Sequence, residues 1–79
     1  MFCVYAIKSI SRNYIYVGLT NNLERRLNEH NNGKNKTTKP YKTFELIFSE
    51  LVNSREDARK REIFLKSGIG KEFLKSLLK

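Results

Sequence analysis

The start of the chain constrains the fold most, because two runs rich in β-branched and aromatic residues flank a short polar break. The first run covers residues 2–8 (FCVYAIK), the second covers Tyr14 to Gly18 (YIYVG), and the break extends from Ser9 to Arg12 or Asn13. Both compositions are typical of β-strands. A connection this short joins antiparallel neighbours. The sequence therefore predicts an N-terminal β-hairpin.

The register of this hairpin decides which side chains share a face. If Lys8 faces Asn13 across a four-residue loop, Tyr5 lies directly opposite Tyr16. Because side chains alternate along a strand, a slip of one residue would place the two rings on opposite faces. We therefore expect both rings on one face of the hairpin. Tyr14 falls on the same face, and we expect it to pack structurally.

A helix follows the hairpin. Asn21 and Glu24 resemble a capping box, in which each side chain satisfies a backbone amide at the start of a helix. The sequence predicts a helix over residues 22–31 that ends at Asn32-Gly33, a pair that favours the left-handed conformation after a helix.

The rest of the chain alternates between loop, strand and helix patterns. Residues 33–42 lack apolar periodicity and predict an exposed loop, and residues 43–51 predict a third strand that alternates around Phe44, Leu46 and Phe48. The sequence then predicts a helix capped by Asn53 or Ser54 that runs to about Lys66, and a short last helix over residues 71–78. The order β-β-α-β-α-α predicts one α+β domain over residues 1–79, with a three-stranded antiparallel or mixed sheet flanked by helices.

Polar side chains occupy the predicted apolar faces of two helices. In the first helix, Arg26 and His30 share a stripe with leucines, and in the second Glu62 shares a stripe with Ala58 and Leu65. A purely structural helix would not place arginine and histidine there. Two plainer interpretations remain open: His30 stabilises the helix C-terminus, or Glu62 only pairs with a lysine four residues later.

These residue types suit phosphodiester hydrolysis. The guanidinium of Arg26 could neutralise the charge that develops on phosphorus. Glu62 could hold Mg²⁺, which takes few protein carboxylates and keeps most of its waters. A tyrosine close to an arginine and a metal could act as a base or position the attacking water.

The charge balance points to a polyanionic partner. Sixteen Lys plus Arg against eight Asp plus Glu give a formal net charge of +8, which favours contact with nucleic acid. The single cysteine excludes an internal disulfide and falls short of a structural zinc site. No apolar run is long enough to cross a membrane, and the N-terminus lacks signal-peptide features. We therefore expect a cytoplasmic protein without a membrane partner.

The string YVGLTNNLERRLNEHNNG, which begins at Tyr16, together with Val4-Tyr5 and the later ARKRE segment ending at Glu62, resembles the GIY-YIG nuclease superfamily. The resemblance is strongest to small stand-alone bacterial members, which are similar to the N-terminal nuclease domain of the bacterial excinuclease. It implies a compact nuclease domain that uses one divalent metal, Mg²⁺ or Mn²⁺, to cut DNA in repair or processing.

The resemblance also implies site roles. Tyr5 and Tyr16 match the tyrosines of the two signature halves, one of which activates water. Arg26 matches the catalytic arginine, His30 a supporting active-site position, and Glu62 the metal ligand. The sequence departs from the family pattern in having Cys3 where a glycine is usual, and in having no asparagine after Glu62.

A loop rich in lysine and free of acidic residues supplies further expected contacts. We expect these side chains to hold the DNA backbone regardless of sequence. The substrate could be branched, damaged or single-stranded, and a partner protein could target the enzyme to it. Two alternatives are a nucleic-acid-binding module that has lost catalysis, and a protein adaptor that uses the C-terminal helix. The expected nucleic-acid contacts are Arg25, Lys34, Lys36, Lys39 and Lys42.

Overall fold

The computed structural model describes residues 1–78 and confirms the predicted order of elements. The three strands form one antiparallel sheet in the order β2-β1-β3, so the predicted α+β class is confirmed. No helix in this part of the chain is long and apolar enough to cross a bilayer. The elements are β1 (Phe2–Ser9), β2 (Ile15–Thr20), α1 (Leu23–Asn31), a 3₁₀ turn (Lys39–Tyr41), β3 (Phe44–Val52), α2 (Arg55–Lys66) and α3 (Gly68–Ser76).

The hairpin register differs from the prediction by two residues. Tyr5 pairs with Gly18 rather than with Tyr16, and Lys8 pairs with Ile15 rather than with Asn13. A shift of two preserves the alternation of side chains, so both tyrosine rings still lie on one face, with centroids 6.3 Å apart.

The buried Ser9 explains the register shift. Its backbone N–H donates to the carbonyl of Tyr14 at 2.9 Å, so the loop still has four residues but starts one position later. Its hydroxyl donates to the carbonyl of Tyr41 and accepts from the Arg12 amide, at 2.6 and 3.1 Å. These bonds extend β1 by one residue beyond the apolar run.

A β-bulge in β3 overturns the predicted alternation of Phe44, Leu46 and Phe48. The register shifts between the partners of Ala6 and Ile7, since Ala6 pairs with Phe48 and Ile7 with Leu46. The extra residue sends Phe44 and Phe48 to opposite faces of the sheet.

The sheet packs helices on both of its faces. On one face, Val4, Ala6 and Val17 pack against the buried Ala58 and Leu65 of α2 and Leu74 of α3. On the other face, a cluster containing Tyr5 and Phe44 packs beneath the leucines of α1. β2 is an outer strand of the sheet, and the groups described below meet beside it.

The helix starts differ from two of the predictions. Asn22, rather than Asn21, caps α1 by accepting from the Arg25 amide at 3.1 Å. Ser67 caps α3 by accepting from the Gly70 amide, so α3 begins at Gly68 and not at residue 71. The predicted Ser54 cap of α2 is confirmed, as is the left-handed Gly33 after α1, with φ of 75°.

The segment 33–42 is not simply an exposed loop, as the sequence predicted. It contains the 3₁₀ turn and one fully buried side chain, that of Thr38. Thr38 is buried because its hydroxyl reaches His30 of α1.

Candidate active site

An open cleft of about 850 Å³ lies beside β2, between α1 and α2. Four of the five predicted catalytic residues line it, although they are up to 57 positions apart in the chain. The local structure explains this: the hairpin presents the tyrosines, while the inward stripes of α1 and α2 present an arginine and a glutamate. The four residues are Tyr5, Tyr16, Arg26 and Glu62, and the remaining lining residues are Gly18, Leu19, Arg55, Glu56, Arg59 and Lys60.

The fifth predicted residue, His30, lies beneath the cleft rather than in its wall. His30 is fully buried. Its Nε2 lies 2.8 Å from the hydroxyl of Tyr5, and its Nδ1 lies 2.8 Å from the hydroxyl of Thr38. His30 therefore contacts the cleft residues from below, through its hydrogen bond to Tyr5 and its packing against the ring of Tyr16.

Both ring nitrogens of His30 have a hydroxyl partner, Tyr5 at Nε2 and Thr38 at Nδ1. The Thr38 hydroxyl also lies 3.5 Å from the carbonyl of Asn35. The imidazole is therefore held at both ends, and it fixes the position of the Tyr5 hydroxyl at the cleft.

Burial keeps Tyr5 and His30 neutral. Loss of water raises the pKa of Tyr5 to about 12, although the neighbouring Arg26 partly opposes this. Burial lowers the pKa of His30, Arg26 lowers it further, and Glu29 acts in the opposite direction. Tyr5 therefore acts as an oriented phenol at neutral pH and not as a ready phenolate.

The neutral histidine leads to a prediction about stability. The unfolded chain protonates its single histidine around the ordinary pKa of 6.5, whereas folded His30 stays neutral to lower pH. The free energy of unfolding should therefore fall as the pH drops below about 6.5, until the folded pKa is reached. Urea unfolding between about pH 7.5 and pH 5, above most carboxylate titrations, measures this. Stability that stays constant or rises on acidification would contradict the buried neutral imidazole.

Arg26 remains charged at the edge of the cleft. Burial alone would lower its pKa, but hydrogen bonds to Glu29 and Tyr5 outweigh burial, and the pKa of Arg26 is raised. Its Nη1 donates to Glu29 Oε1 at 3.0 Å. The guanidinium has five N–H donors, so this bond fixes the group while leaving others for a ligand.

Glu62 is the least exposed carboxylate among the ion pairs, with 12% of its side chain accessible. It pairs with Arg59 at 3.4 Å and with Lys66 at 3.3 Å, and these cations are themselves 69% and 54% exposed. The pairing with Lys66 that the sequence left open is therefore present. Because both cations are exposed surface side chains, a stronger ligand can replace them at Glu62.

The Glu62 carboxylate suits a divalent cation that binds oxygen atoms and takes few of its ligands from the protein. Residues 1–78 contain no group of three or more His, Cys, Asp or Glu side chains that could enclose a metal. Mg²⁺ does not need such a cage, since it is commonly held by one or two carboxylates, with water and substrate phosphate as the other ligands. Glu62 supplies one carboxylate on the cleft wall, and the cleft leaves room for the rest.

Gly18 is required by the close approach of the two tyrosines. A Cβ at this position would lie 2.7 Å from the hydroxyl oxygen of Tyr5 and 3.0 Å from a ring carbon of Tyr16. The cross-strand pairing of Tyr5 with Gly18 thus lets the phenol lie over bare backbone.

Replacing Gly18 with alanine should displace the Tyr5 hydroxyl from its bond to His30. We expect a loss of about 1–3 kcal/mol in the free energy of unfolding from overpacking. Urea unfolding measures this loss. Gly68→Ala is the matched control, because a Cβ there meets nothing within 4 Å. Equal behaviour of the two variants would contradict this account.

The predicted nucleic-acid contacts lie outside the cleft. Arg25 and Lys34 line a separate shallow depression along α1. Lys39 and Lys42 approach Gly33, and neither these two nor Lys36 lines the cleft. Their contact with DNA remains a prediction.

Sequence reasoning missed two sets of residues. The cations Arg55, Arg59 and Lys60 line the cleft from α2. The spacing of Arg55 and Arg59, seven and three residues before Glu62, could have indicated two of them. Lys60, by contrast, is only two residues before Glu62 and does not share its face. The other missed residue is Thr38, which lies in hydrogen-bond contact with His30. No sequence pattern indicates its burial, because that burial depends on the path of an irregular segment.

Comparisons with known proteins identify the family of the chain. Residues 1–72 match the family model of the GIY-YIG catalytic domain. The chain therefore belongs to the GIY-YIG family, a family of nucleases.

The similar proteins are small and bacterial. A UPF0213 protein of Staphylococcus haemolyticus is 35% identical over 75 residues, which is 94% of this chain and 90% of that protein. One from Streptococcus agalactiae is 40% identical over 53 residues, or 66% of this chain and 60% of that protein. The solution NMR structure of a UPF0213 protein from Bacillus halodurans has a TM-score of 0.57 and 32% identity, over 98% of this chain and 85% of that one. The chain spans between 60% and 90% of these relatives.

Proposed function

We propose that the protein is an endonuclease that hydrolyses DNA phosphodiester bonds with the help of one divalent metal, in DNA repair or processing. The observation that carries the proposal is the convergence of Tyr5, Tyr16, Arg26 and Glu62 on one cleft. This set combines a water-positioning phenol, a fixed cation and a metal-binding carboxylate, and membership of a nuclease family supports it.

In the proposed mechanism, the oxygen of Tyr5 accepts a hydrogen bond from the attacking water. His30 would support this by accepting the hydrogen bond of the Tyr5 hydroxyl at Nε2, and Thr38 would support it by holding the other ring nitrogen of His30. The ring of Tyr16 packs against the rings of Tyr5 and His30, with centroids 6.3 and 4.9 Å away, and so limits their movement.

Arg26 provides the electrostatic part of catalysis. Its guanidinium, fixed by Glu29, donates to the oxygens of the phosphate as negative charge develops on them. As water adds to phosphorus, one P–O ester bond breaks. The attacking water gives up a proton to solvent in the open cleft, and the leaving oxygen takes up a proton from solvent. Glu62 would hold Mg²⁺ or Mn²⁺, which when bound stabilises the charge on the leaving oxygen and acidifies water.

The cations around the cleft define the polyanionic substrate. Arg55, Arg59 and Lys60 line the cleft from α2, where they can contact phosphates on either side of the reacting one. We propose the lysine loop (Lys34, Lys36, Lys39 and Lys42), together with Arg25, as an additional backbone contact. These contacts carry no sequence information, so branched, damaged or single-stranded substrates, or a targeting protein, would provide selection.

A second candidate function is a nucleic-acid-binding module that has lost catalysis. Two observations favour it: residues 63–79 contain no asparagine, and the Glu62 carboxylate is paired with two cations. In such a module, Arg26 and the lysines would bind nucleic acid and Glu62 would be dispensable.

A substrate survey separates the two functions. Supercoiled plasmid, linear duplex, branched and single-stranded DNA are incubated with Mg²⁺ or Mn²⁺, with EDTA as the control. The nuclease proposal expects cutting of at least one substrate that EDTA prevents. Binding that weakens with salt, without cutting of any substrate, would replace it with the binding module.

A further inference from the structure

A second groove, of about 580 Å³, lies along the outer edge of β2. Its floor is apolar and belongs to the core shared by the sheet, α2 and α3. One wall is the edge of β2, and the other wall carries three lysines on α2 and α3. The floor residues are Ile15, Val17, Leu65 and Leu74, the lysines are Lys66, Lys71 and Lys75, and Asn13, Tyr14 and Tyr16 complete the lining.

This groove borders the candidate active site. Tyr16 lines both the groove and the cleft. Lys66 lines the groove, while its Nζ lies 3.3 Å from the Oε2 of Glu62 in the cleft. The groove therefore begins next to the groups of the candidate active site.

The charge of the groove suits a phosphate backbone. All three ionisable cations in its wall are lysines, and its lining contains no acidic residue. Lys71 and Lys75 are four residues apart on α3, so they lie on one face of the helix. Because β2 is the outer strand of the sheet, its free edge offers backbone groups to the same ligand.

We propose that this groove holds the DNA strand that extends from the cleft, through phosphate contacts with Lys66, Lys71 and Lys75. The inference rests on the proposed function for the identity of the ligand. It adds the path of the DNA strand, which runs from Arg55 and Arg59 past Glu62 to α3. It also gives α3 a role in binding besides closing the core.

Salt-dependent binding tests the groove without requiring cleavage. Binding of labelled duplex DNA is measured in EDTA at several salt concentrations for the wild type and for the double variant Lys71→Ala/Lys75→Ala. The logarithm of the binding constant falls linearly with the logarithm of the salt concentration, and each phosphate contact contributes roughly −0.9 to this slope. The slope of the double variant should therefore be shallower than that of the wild type by roughly 2. Both lysines are exposed, so the variant should unfold like the wild type, and thermal unfolding verifies this. An unchanged slope would overturn the proposal.

A positional experiment removes the effect of net charge. The only native cysteine, Cys3, is buried, so a cysteine-directed photo-crosslinker can be placed at one chosen site. Attached through Lys75→Cys, it should cross-link labelled DNA. Attached through Leu51→Cys, which lies on the opposite outer strand β3 and is 67% exposed, it should not. Equal cross-linking at both sites, or none at position 75, would overturn the groove assignment.

These experiments distinguish a failure of the groove assignment from a failure of the nuclease proposal. If the groove binds DNA but the protein cuts none of the substrates, the groove assignment stands and the nuclease proposal fails. If the protein cuts DNA but the groove variants bind like the wild type, the groove assignment fails alone.

Discussion

Replacing Glu62 with glutamine is expected to abolish metal-dependent cleavage while leaving the fold in place. Glutamine preserves the size of the side chain but removes the charge that would hold the metal. The charge stabilisation lost with a catalytic metal is worth several kcal/mol, so the rate should fall by about 10³-fold or more. The two ion pairs of Glu62 involve exposed cations, and such pairs contribute at most about 1 kcal/mol each. Single-turnover cleavage and urea unfolding measure the two effects.

Glu56→Gln is the matched control for this prediction. Glu56 lines the same cleft from the same helix as Glu62. Each of the two substitutions therefore removes one negative charge from the wall of the cleft. It lies in the exposed first turn of α2, where a carboxylate contributes a few tenths of a kcal/mol, up to about 1 kcal/mol, to the helix. We expect cleavage within about threefold of the wild type. A Glu62→Gln protein that cuts as fast as Glu56→Gln would show that Glu62 is not the metal ligand.

Replacing Arg26 with alanine is the second change with a large expected effect. Arg26 is the cation that Glu29 fixes at the cleft and that lies next to Tyr5. Removing one preorganised donor from a reacting oxygen typically costs about 10²–10³ in kcat, and we expect a loss of this size. Arg26→Lys should recover only part of it, because an ammonium cannot reproduce the planar fork of donors.

The neighbouring Arg25 provides the comparison. Arg25 is exposed and lines the depression on the other side of α1, so Arg25→Ala should change KM at most and leave kcat unchanged. Measuring kcat and KM separately for both alanine variants shows whether position or total charge matters. Equal losses of kcat would mean that Arg26 acts only through long-range charge.

The sequence predicted the shared face of the two tyrosines correctly, but not the hairpin register that produces it. The tyrosines were placed on one face although the hairpin register was wrong by two residues, because only odd shifts exchange faces. The register itself was set by Ser9, whose hydroxyl bonds to the carbonyl of Tyr41. That contact joins residues 32 positions apart, and no local pattern indicates it.

Other features also depended on tertiary structure. The bulge that separates Phe44 from Phe48 is a property of the pairing between β1 and β3, and so it is not visible in the alternation of one strand. Thr38 was not predicted, because its burial follows from the hydrogen bond to His30. By contrast, the stripe positions of Arg26 and Glu62 follow from helical periodicity alone, and the structure places both side chains on the wall of one cleft.

The most direct test of the central claim is the rate at which purified protein nicks supercoiled plasmid, with Mg²⁺ titrated in from EDTA. The wild type and Glu62→Gln are prepared in parallel and compared at equal DNA occupancy. The account predicts strand breaks that appear with Mg²⁺ in the wild type, stop with EDTA, and do not rise above background in the variant. Nicking that persists in EDTA, or that proceeds equally in both proteins, would contradict it.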